Sequence, residues 1–404
     1  MKTFILTLLL ALIAAAAAGC FRDVGSYRDE DGSLVIMGEV LNTGDPLADA
    51  HVTGTLYDAD GNVIATGAAN VCRPLPTGGT SAFQMVLPPG TPDPARIEWS
   101  LSEDRLAPGS DTGFAKVNGE LVNEAHGEQG ETHAYGEITN ESASTYNGGL
   151  ACVAYLNDKG EIIRILRGST PGVRLEPGET EPFVAVGDVP GDAVATRLYL
   201  DAFVPRNPPA PGAVGDAVML PESSFNRRHG FERSTQTGRI SGQFGEVHND
   251  SDRELLVTVS GTARDGDGTL VATSAGGSPR CHVTAEPGSF TFGAYEFAVD
   301  GRAPDADVSV EALISDKAPA KAVNVKRTQL SSGIVRVTYD VKNPLTSMAR
   351  AVNTCVGLYA ADGDVIGMLE SRAFEVAAGA TASYSVDVPA YGKVDRVVVI
   401  ADAQ

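Results

Sequence analysis

Basic residues are the first shortage. The 404-residue chain sets 31 Lys and Arg against 52 Asp and Glu, a net charge of −21. A surface this acidic is repelled by phosphate backbones and anionic headgroups, which argues against nucleic acid as a partner and against electrostatic adhesion to a membrane. Histidine is sparse as well: His51, His126, His133, His229, His248 and His282 form neither His-Glu-x-x-His nor a zinc-type set with cysteine. The chain has no Gly-x-Ser-x-Gly elbow and no glycine-rich phosphate loop between a strand and a helix. Acidic pairs abound, but in a chain this acidic they point to no pair of catalytic carboxylates. No cofactor, metal set or catalytic residue is therefore expected, and the chain reads as a non-enzyme. Trp99, the single tryptophan, is expected in a core or in packing between domains.

At the N-terminus one charge, Lys2, precedes an apolar or small run from Phe4 to Ala18. That run is short of the roughly 20 residues a spanning helix needs and has the layout of an export signal, and no second apolar span follows. Ala17-Ala18-Gly19-Cys20 resembles the lipobox of prokaryotic lipoproteins. The resemblance implies a signal peptide over 1–19 and lipid on Cys20, which would anchor the chain to the cell membrane facing the exterior or the periplasm. Two or more chains on Cys20 are needed for stable attachment, since one binds marginally. A plain secretory signal and an uncleaved anchor are the other readings of this segment.

Beyond the leader the sequence repeats itself, with 45 Gly and 23 Pro marking frequent turns. The first copy reads Gly38-Glu39-Val40-Leu41-Asn42, then Leu56-Tyr57-Asp58-Ala59-Asp60-Gly61, then Pro76-Thr77-Gly78 with Phe83. The second has Gly136 to Asn140, Tyr155 to Gly160, and Pro177-Gly178 with Phe183. The third has Gly245 to Asn249, Asp265-Gly266-Asp267-Gly268, and Pro287-Gly288 with Phe292. The most worn has Tyr339 to Asn343, Leu358 to Gly363, and Gly379 with Tyr384. From Asn to turn Gly the separations are 19, 20, 19 and 20, and successive Asn residues are 98, 109 and 94 apart. A period near 100 with many short strands is the size of an immunoglobulin-like sandwich.

The pairing of Gly-Glu-Val-x-Asn with Leu-Tyr-Asp-x-Asp-Gly resembles the FxLYD domain family, small β-sandwich modules of exported prokaryotic proteins. Copy one matches it best and copy three departs, with Ala263-Arg264-Asp265 at the strand end. The resemblance implies a fold and a location and brings no chemistry with it. The expectation is an all-β protein: a lipoprotein signal peptide, then four tandem immunoglobulin-like β-sandwiches over 20–108, 113–206, 223–316 and 321–404. The segments Glu103 to Thr112, Asn207 to Glu222 and Asp316 to Ala320 read as linkers, and Asn207-Pro208-Pro209-Ala210-Pro211-Gly212 as a stiff spacer.

The shared residues Gly38, Asn42, Gly61, Asn140, Gly160, Asn249, Gly268, Asn343 and Gly363 are read as structural. Turn glycines supply positive φ, and Asn at the strand end suits bonding to loop backbone. The motif Glu is expected to face solvent or a cross-strand partner. Asp58-Ala59-Asp60-Gly61 and Asp265-Gly266-Asp267-Gly268 supply only a fragment of a calcium loop, so tight turns are the preferred reading.

Apart from Cys20 each copy has one cysteine. Cys152 and Cys355 lie eight residues before their turn Gly, while Cys72 and Cys281 lie 11 and 13 after theirs. Copies therefore alternate, as a duplicated two-domain unit would. Cys152 and Cys355 alternate with the apolar positions of their strands and so point outward, toward a neighbouring domain. Disulfides Cys72 to Cys152 and Cys281 to Cys355 are expected, joining the domains into two rigid pairs, with free thiols as the alternative. The function expected is a lipid-anchored binding or scaffold protein for an extracellular or envelope protein or glycan. The alternative is an accessory solute-capturing lipoprotein of a transport system.

Overall fold

The strand Ile334–Lys342, IVRVTYDVK, shows how this sequence makes sheet. Val335, Val337, Tyr339 and Val341 are buried while Ile334 and Arg336 are exposed, the two-residue alternation of a strand with one covered face. A computed structural model describes residues 19–105, 114–172, 174–202, 210–234, 238–274, 281–301 and 304–404. The leader residues 1–18, most of the stretch between Glu103 and Thr112, and the Asn207-Pro208-Pro209 start of the spacer lie outside the described residues. Among those described, all regular elements are antiparallel strands apart from one short 3-10 turn at Glu222–Ser224.

One arrangement of strands recurs. In the first repeat Leu34–Asn42 lies between Gly19–Arg28 and Thr80–Leu87, and Leu47–Tyr57 lies between Val63–Asn70 and Arg96–Arg105. The strand bearing Gly-Glu-Val-x-Asn is thus the middle of one sheet, and the strand closing in the Asp-Gly turn is the middle of the other. Leu34, Ile36, Val40, Val52, Leu56 and Phe83 fill the core between them, with Trp99 packed against it. In the second repeat the same triplets join into one six-stranded sheet, because Gly168 and Ser169 pair with Ala185 and Val184.

The third repeat sets Arg239–His248 between Phe225–Ser234 and Phe290–Val299. Its second sheet runs Ala217–Leu220, Ala306–Ile314, Leu255–Arg264, Leu270–Thr273. The last sets Ile334–Lys342 between Ala322–Ser331 and Thr381–Pro389, opposite the order Ala318–Ala320, Arg396–Ala403, Ala349–Tyr359, Val365–Val376. Two short stretches of the expected linkers are therefore strands. Ala217–Leu220 pairs with residues Val310 to Leu313, and Ala318–Ala320 with Ala401 to Ala403. The apolar Ala-Val-Met-Leu stretch outweighs the Pro and Gly that precede it.

The first strand of three repeats carries a bulge: between Arg22 and Gly25, Asn226 and His229, and Val323 and Lys326 the register slips. Each bulge holds a non-glycine residue in the left-handed region, Asp23 at φ 54°, Arg227 at φ 49° and Asn324 at φ 56°. Such bulges re-aim a side chain at some conformational cost.

The chain divides into two compact units. Unit 1 is 1–121, 136–169 and 175–204; unit 2 is 122–135, 170–174 and 205–404. Within unit 2, Tyr135 donates to the carbonyl of Ala298 at 2.8 Å and Asn123 to that of Val271 at 2.7 Å.

Candidate functional site

The repeated asparagines form one device used four times. Asn42, Asn140, Asn249 and Asn343 are all buried. Each side-chain amide donates to two backbone carbonyls: those of Asp45 and Leu75, Ser144 and Leu175, Arg253 and Ala285, and Ser347 and Val376. Each side-chain oxygen accepts the amide N–H two residues on, from Gly44, Ser142, Ser251 or Leu345. The Asn therefore staples the loop after its strand to the segment leading into the Pro-Gly turn.

The turn glycines Gly61, Gly160, Gly268 and Gly363 all adopt positive φ, between 78° and 96°. In the acidic turns the carboxylates are used locally: Asp58 Oδ1 accepts from the N–H groups of Asp60 and Asn62, and Asp265 Oδ1 from those of Asp267 and Thr269. Hydrogen bonds from Asn62 hold the Asp58 carboxyl below the usual carboxylate range. Among the described residues no group of three or more His, Cys, Asp or Glu is placed to hold a metal ion. Gly38 has a different reason: a β-carbon there would lie 2.9 Å from the Phe83 ring and from Val24.

Chemistry that is not turn or core concentrates at two junctions between repeats. In unit 1 the outer face of the first sheet, through Val35, Met37 and Ala82, packs on Cys152, Ala154 and Leu156 of the second repeat. Cys72 and Cys152 are disulfide-bonded there, with Cα atoms 6.0 Å apart. Cys152 thus points away from its own repeat's core, as the alternation along its strand predicted. Gly25 is a point of close approach, where a β-carbon would sit 2.6 Å from the Ile162 carbonyl oxygen.

Glu39 lies in this junction at 1% exposure, so of the two placements expected for the motif Glu it takes the cross-strand one and not the solvent-facing one. Its cross-strand partner Arg22 donates to it, and so do Tyr199 and Arg197 from the second repeat, Arg197 at 3.0 Å. The bulge residue Asp23 holds the same Arg197 guanidinium at 2.8 Å. Burial, and then the bond to Glu39, raises the Tyr199 phenol far above its ordinary range, so it stays a donor.

Unit 2 solves the same problem with other residues. Glu246, the equivalent of Glu39, is buried and accepts from Tyr359 of the last repeat. The bulge residue Arg227 contacts Glu246 at 3.0 Å and donates to the carbonyl of the turn glycine Gly363 at 3.4 Å. Arg396 lies over the Tyr359 ring, 3.8 Å from its centroid. Phe231 and Phe244 close one end of the junction on Tyr391, with centroids 4.7 and 5.6 Å away.

Phe292 is the aromatic that follows the Pro-Gly turn of the third repeat. It stands four residues after Gly288, where Phe83, Phe183 and Tyr384 stand five after theirs. One residue fewer places it on the opposite face of its strand. It faces Glu246 across the sheet as Ala82 faces Glu39, and its ring lies over Gly357 and against Tyr359.

Cys281 and Cys355 meet at this junction as well. They are buried free thiols, in place of the disulfide expected from their spacing. Cys281 Sγ also lies 3.4 Å from Thr291 Oγ1. Beside them Asp402, fully buried, accepts from Thr284 N–H at 2.9 Å and Asn353 at 2.8 Å. Cys20 is exposed, in a strand position opposite Leu41.

The junction groups were not picked out in the sequence. Their signal was available in Leu34-Val35-Ile36-Met37, an unbroken apolar run where a half-buried strand alternates, which marks a strand covered on both faces. No protein-family model matches the chain, and no curated protein matches it.

Proposed function

We propose that this is a non-catalytic, lipid-anchored cell-surface protein that serves as a binding or scaffold module for an extracellular or envelope protein or glycan. In this reading Cys20 carries the lipid and the chain is four immunoglobulin-like sandwiches of FxLYD type. The observation that carries the proposal is the use to which the repeated residues are put. The four asparagines staple loops, the four glycines turn hairpins, and the recurring acids Glu39 and Glu246 are consumed in junctions. What recurs is investment in rigidity, leaving loops and sheet edges as the variable surface, which is how sandwich modules present recognition sites. The acidic charge keeps that surface solvated and confines membrane contact to the lipid.

The test is intact mass of the protein extracted from membranes, beside a Cys20→Ala chain. A lipid adduct on Cys20 and release of the variant into the soluble fraction support the anchor; an unmodified Cys20 on a soluble chain refutes it. Crosslinking on intact cells should then yield a discrete adduct with a surface protein or glycan. A turnover activity abolished by one substitution among the described carboxylates or histidines would make the protein an enzyme and overturn the proposal.

A further inference from the structure

The two junctions follow one rule. The outer face of the first sheet of one repeat lies on the outer face of the second sheet of the next: Val35 and Met37 pack on Ala154 and Leu156 in unit 1, and Phe292 on Gly357 in unit 2. The bulge of the first strand reaches the segment around the turn glycine of the next repeat. Gly25, where the register resumes after the bulge, stands over the carbonyl of Ile162, two residues past Gly160, and Arg227 donates to the carbonyl of Gly363. The motif acid takes a phenol from the next repeat, Tyr199 for Glu39 and Tyr359 for Glu246.

Halves of this junction also stand open in the chain. On the first repeat Tyr57 holds the place that Tyr359 holds on the last, as the second residue of a Leu-Tyr pair. Both tyrosines are paired across the sheet with an arginine, Arg96 and Arg396, whose guanidinium lies over the ring at 4.0 and 3.8 Å. Tyr359 is buried, yet Tyr57 is only half-buried, its phenol turned to the exposed Glu98 at 2.8 Å. Val63, two residues past Gly61, is 59% exposed where Ile162 and Val365 are fully buried. On the last repeat Asp340 holds the place of Glu39 and Glu246, three residues before the stapling Asn. It is half-buried and held within its own repeat by the bulge residue Asn324 at 2.8 Å and by Ser383 at 2.6 Å. Lys326, in the register place of Gly25, is exposed, as are Arg336 and Lys342 on the same face.

We propose that a second copy of this chain covers both faces: the first sheet of the last repeat in one copy docks on the second sheet of the first repeat in another, repeating the junction between molecules. Asp340 then receives the Tyr57 phenol as Glu246 receives that of Tyr359, and the bulged strand covers Val63 as it covers Ile162. Lys326 comes to the turn that carries Asp58 and Asp60. The halves suit one another in charge, since residues 321–404 hold 9 Lys and Arg against 8 Asp and Glu, and residues 20–108 hold 5 against 13. Because the two faces differ, the contact is head to tail and grows into chains instead of stopping at a symmetric dimer. Neither face has the apolar filling that Met37 or Phe244 gives the junctions inside the chain, so the attraction is largely electrostatic and salt weakens it.

The experiment uses the full chain with Cys20→Ala, so that neither lipid nor an exposed thiol links the copies, and follows its mass by sedimentation from about 1 μM to about 1 mM at low and high salt. The expected result is a mass that rises past the dimer with concentration and falls back with salt. Lys326→Glu and Asp60→Lys each set like charges against one another at the contact, and each should weaken association by about tenfold or more. An equal mixture of the two variants should associate as the parent does, because each altered face then meets an opposite charge on the other chain. Both side chains are exposed, and recovery on mixing is a result that two damaged chains do not give. A chain that stays monomeric across the range overturns the proposal, as does an assembly that stops at a symmetric dimer. Association that neither substitution weakens, or a mixture no stronger than its components, overturns it equally.

Discussion

The phenol of Tyr199 donates its proton to the buried carboxylate of Glu39, across the junction of the first two repeats. Tyr359 does the same for Glu246 in unit 2, although the two tyrosines sit on different strands of their repeats. A buried carboxylate is costly unless its lone pairs are filled, and here the neighbouring repeat supplies part of the filling, beside Arg22 and Arg227 of the same repeat. Docking of the repeats therefore completes the satisfaction of the acid. Tyr199→Phe is expected to lower the stability of unit 1 by about 1–3 kcal/mol, because the charged acceptor stays buried without its hydroxyl donor. Tyr359→Phe should do likewise in unit 2. Urea unfolding followed by a probe in each unit checks this; an unchanged midpoint for either variant means that the junction does not depend on the bond.

Removing the covalent strap should act on unit 1 alone. Cys72 and Cys152 are 80 residues apart in sequence, so their bond restricts a long loop of the unfolded chain. Cys152→Ser is expected to cost about 2–4 kcal/mol in the unit 1 transition. Differential scanning calorimetry should show that transition moving down while the unit 2 transition holds. A shift of both would mean that the two units unfold as one.

Much of this architecture was legible in the sequence, for reasons that can be stated residue by residue. Turns were readable because Gly61, Gly160, Gly268 and Gly363 recur at fixed distance from an asparagine, and positive φ is a local demand that glycine meets anywhere. The outward aim of Cys152 followed from strand alternation, and its partner from the alternating placement of cysteines along the chain. What stayed hidden is what the outward faces meet. Glu39 and Tyr199 are 160 residues apart and share no local pattern, and the bulge residues Asp23 and Arg227 look like ordinary charged strand residues until the register slip is seen. Phe292 stands one residue closer to its turn glycine than Phe83, Phe183 and Tyr384 stand to theirs, the smallest difference that exchanges the two faces of a strand.

Acid should strengthen one position. Asp201, on the strand Ala195–Ala202 opposite Leu150, has its carboxyl pushed up to about 6 by burial, against the lowering influence of Arg73. An unfolded Asp titrates near 3.9, so between roughly pH 4 and 6 the folded chain holds the extra proton and this group's contribution falls as pH rises. Above about 6 the charged form is carried by both states and the penalty is complete. Asp201→Asn is therefore expected to stabilise unit 1 at pH 7 by about 1 kcal/mol, a figure reduced for partial solvent screening, and to lose that advantage near pH 4. Urea midpoints of both chains across this range check the sign. A variant weaker than the parent at pH 7 would mean that the Asp201 carboxylate is stabilised by the fold.

Phe292 and Gly357 offer the sharpest test of the junction in unit 2, because their fit can be broken from either side. A β-carbon at Gly357 would stand 2.2 Å from the Phe292 ring, and the ring is hemmed in by Phe290 and Tyr359 with centroids 5.7 and 6.0 Å away. Gly357→Ala is expected to cost about 1–3 kcal/mol through overpacking. Phe292→Leu alone should cost about the same through lost area and a partly filled cavity. The two combined should cost less than their sum, since the smaller side chain leaves room for the new methyl group. Chemical denaturation of the four chains gives the coupling directly. Strict additivity would show that the ring moves aside freely, in which case Gly357 is small for the sake of its own strand and not for the repeat packed upon it.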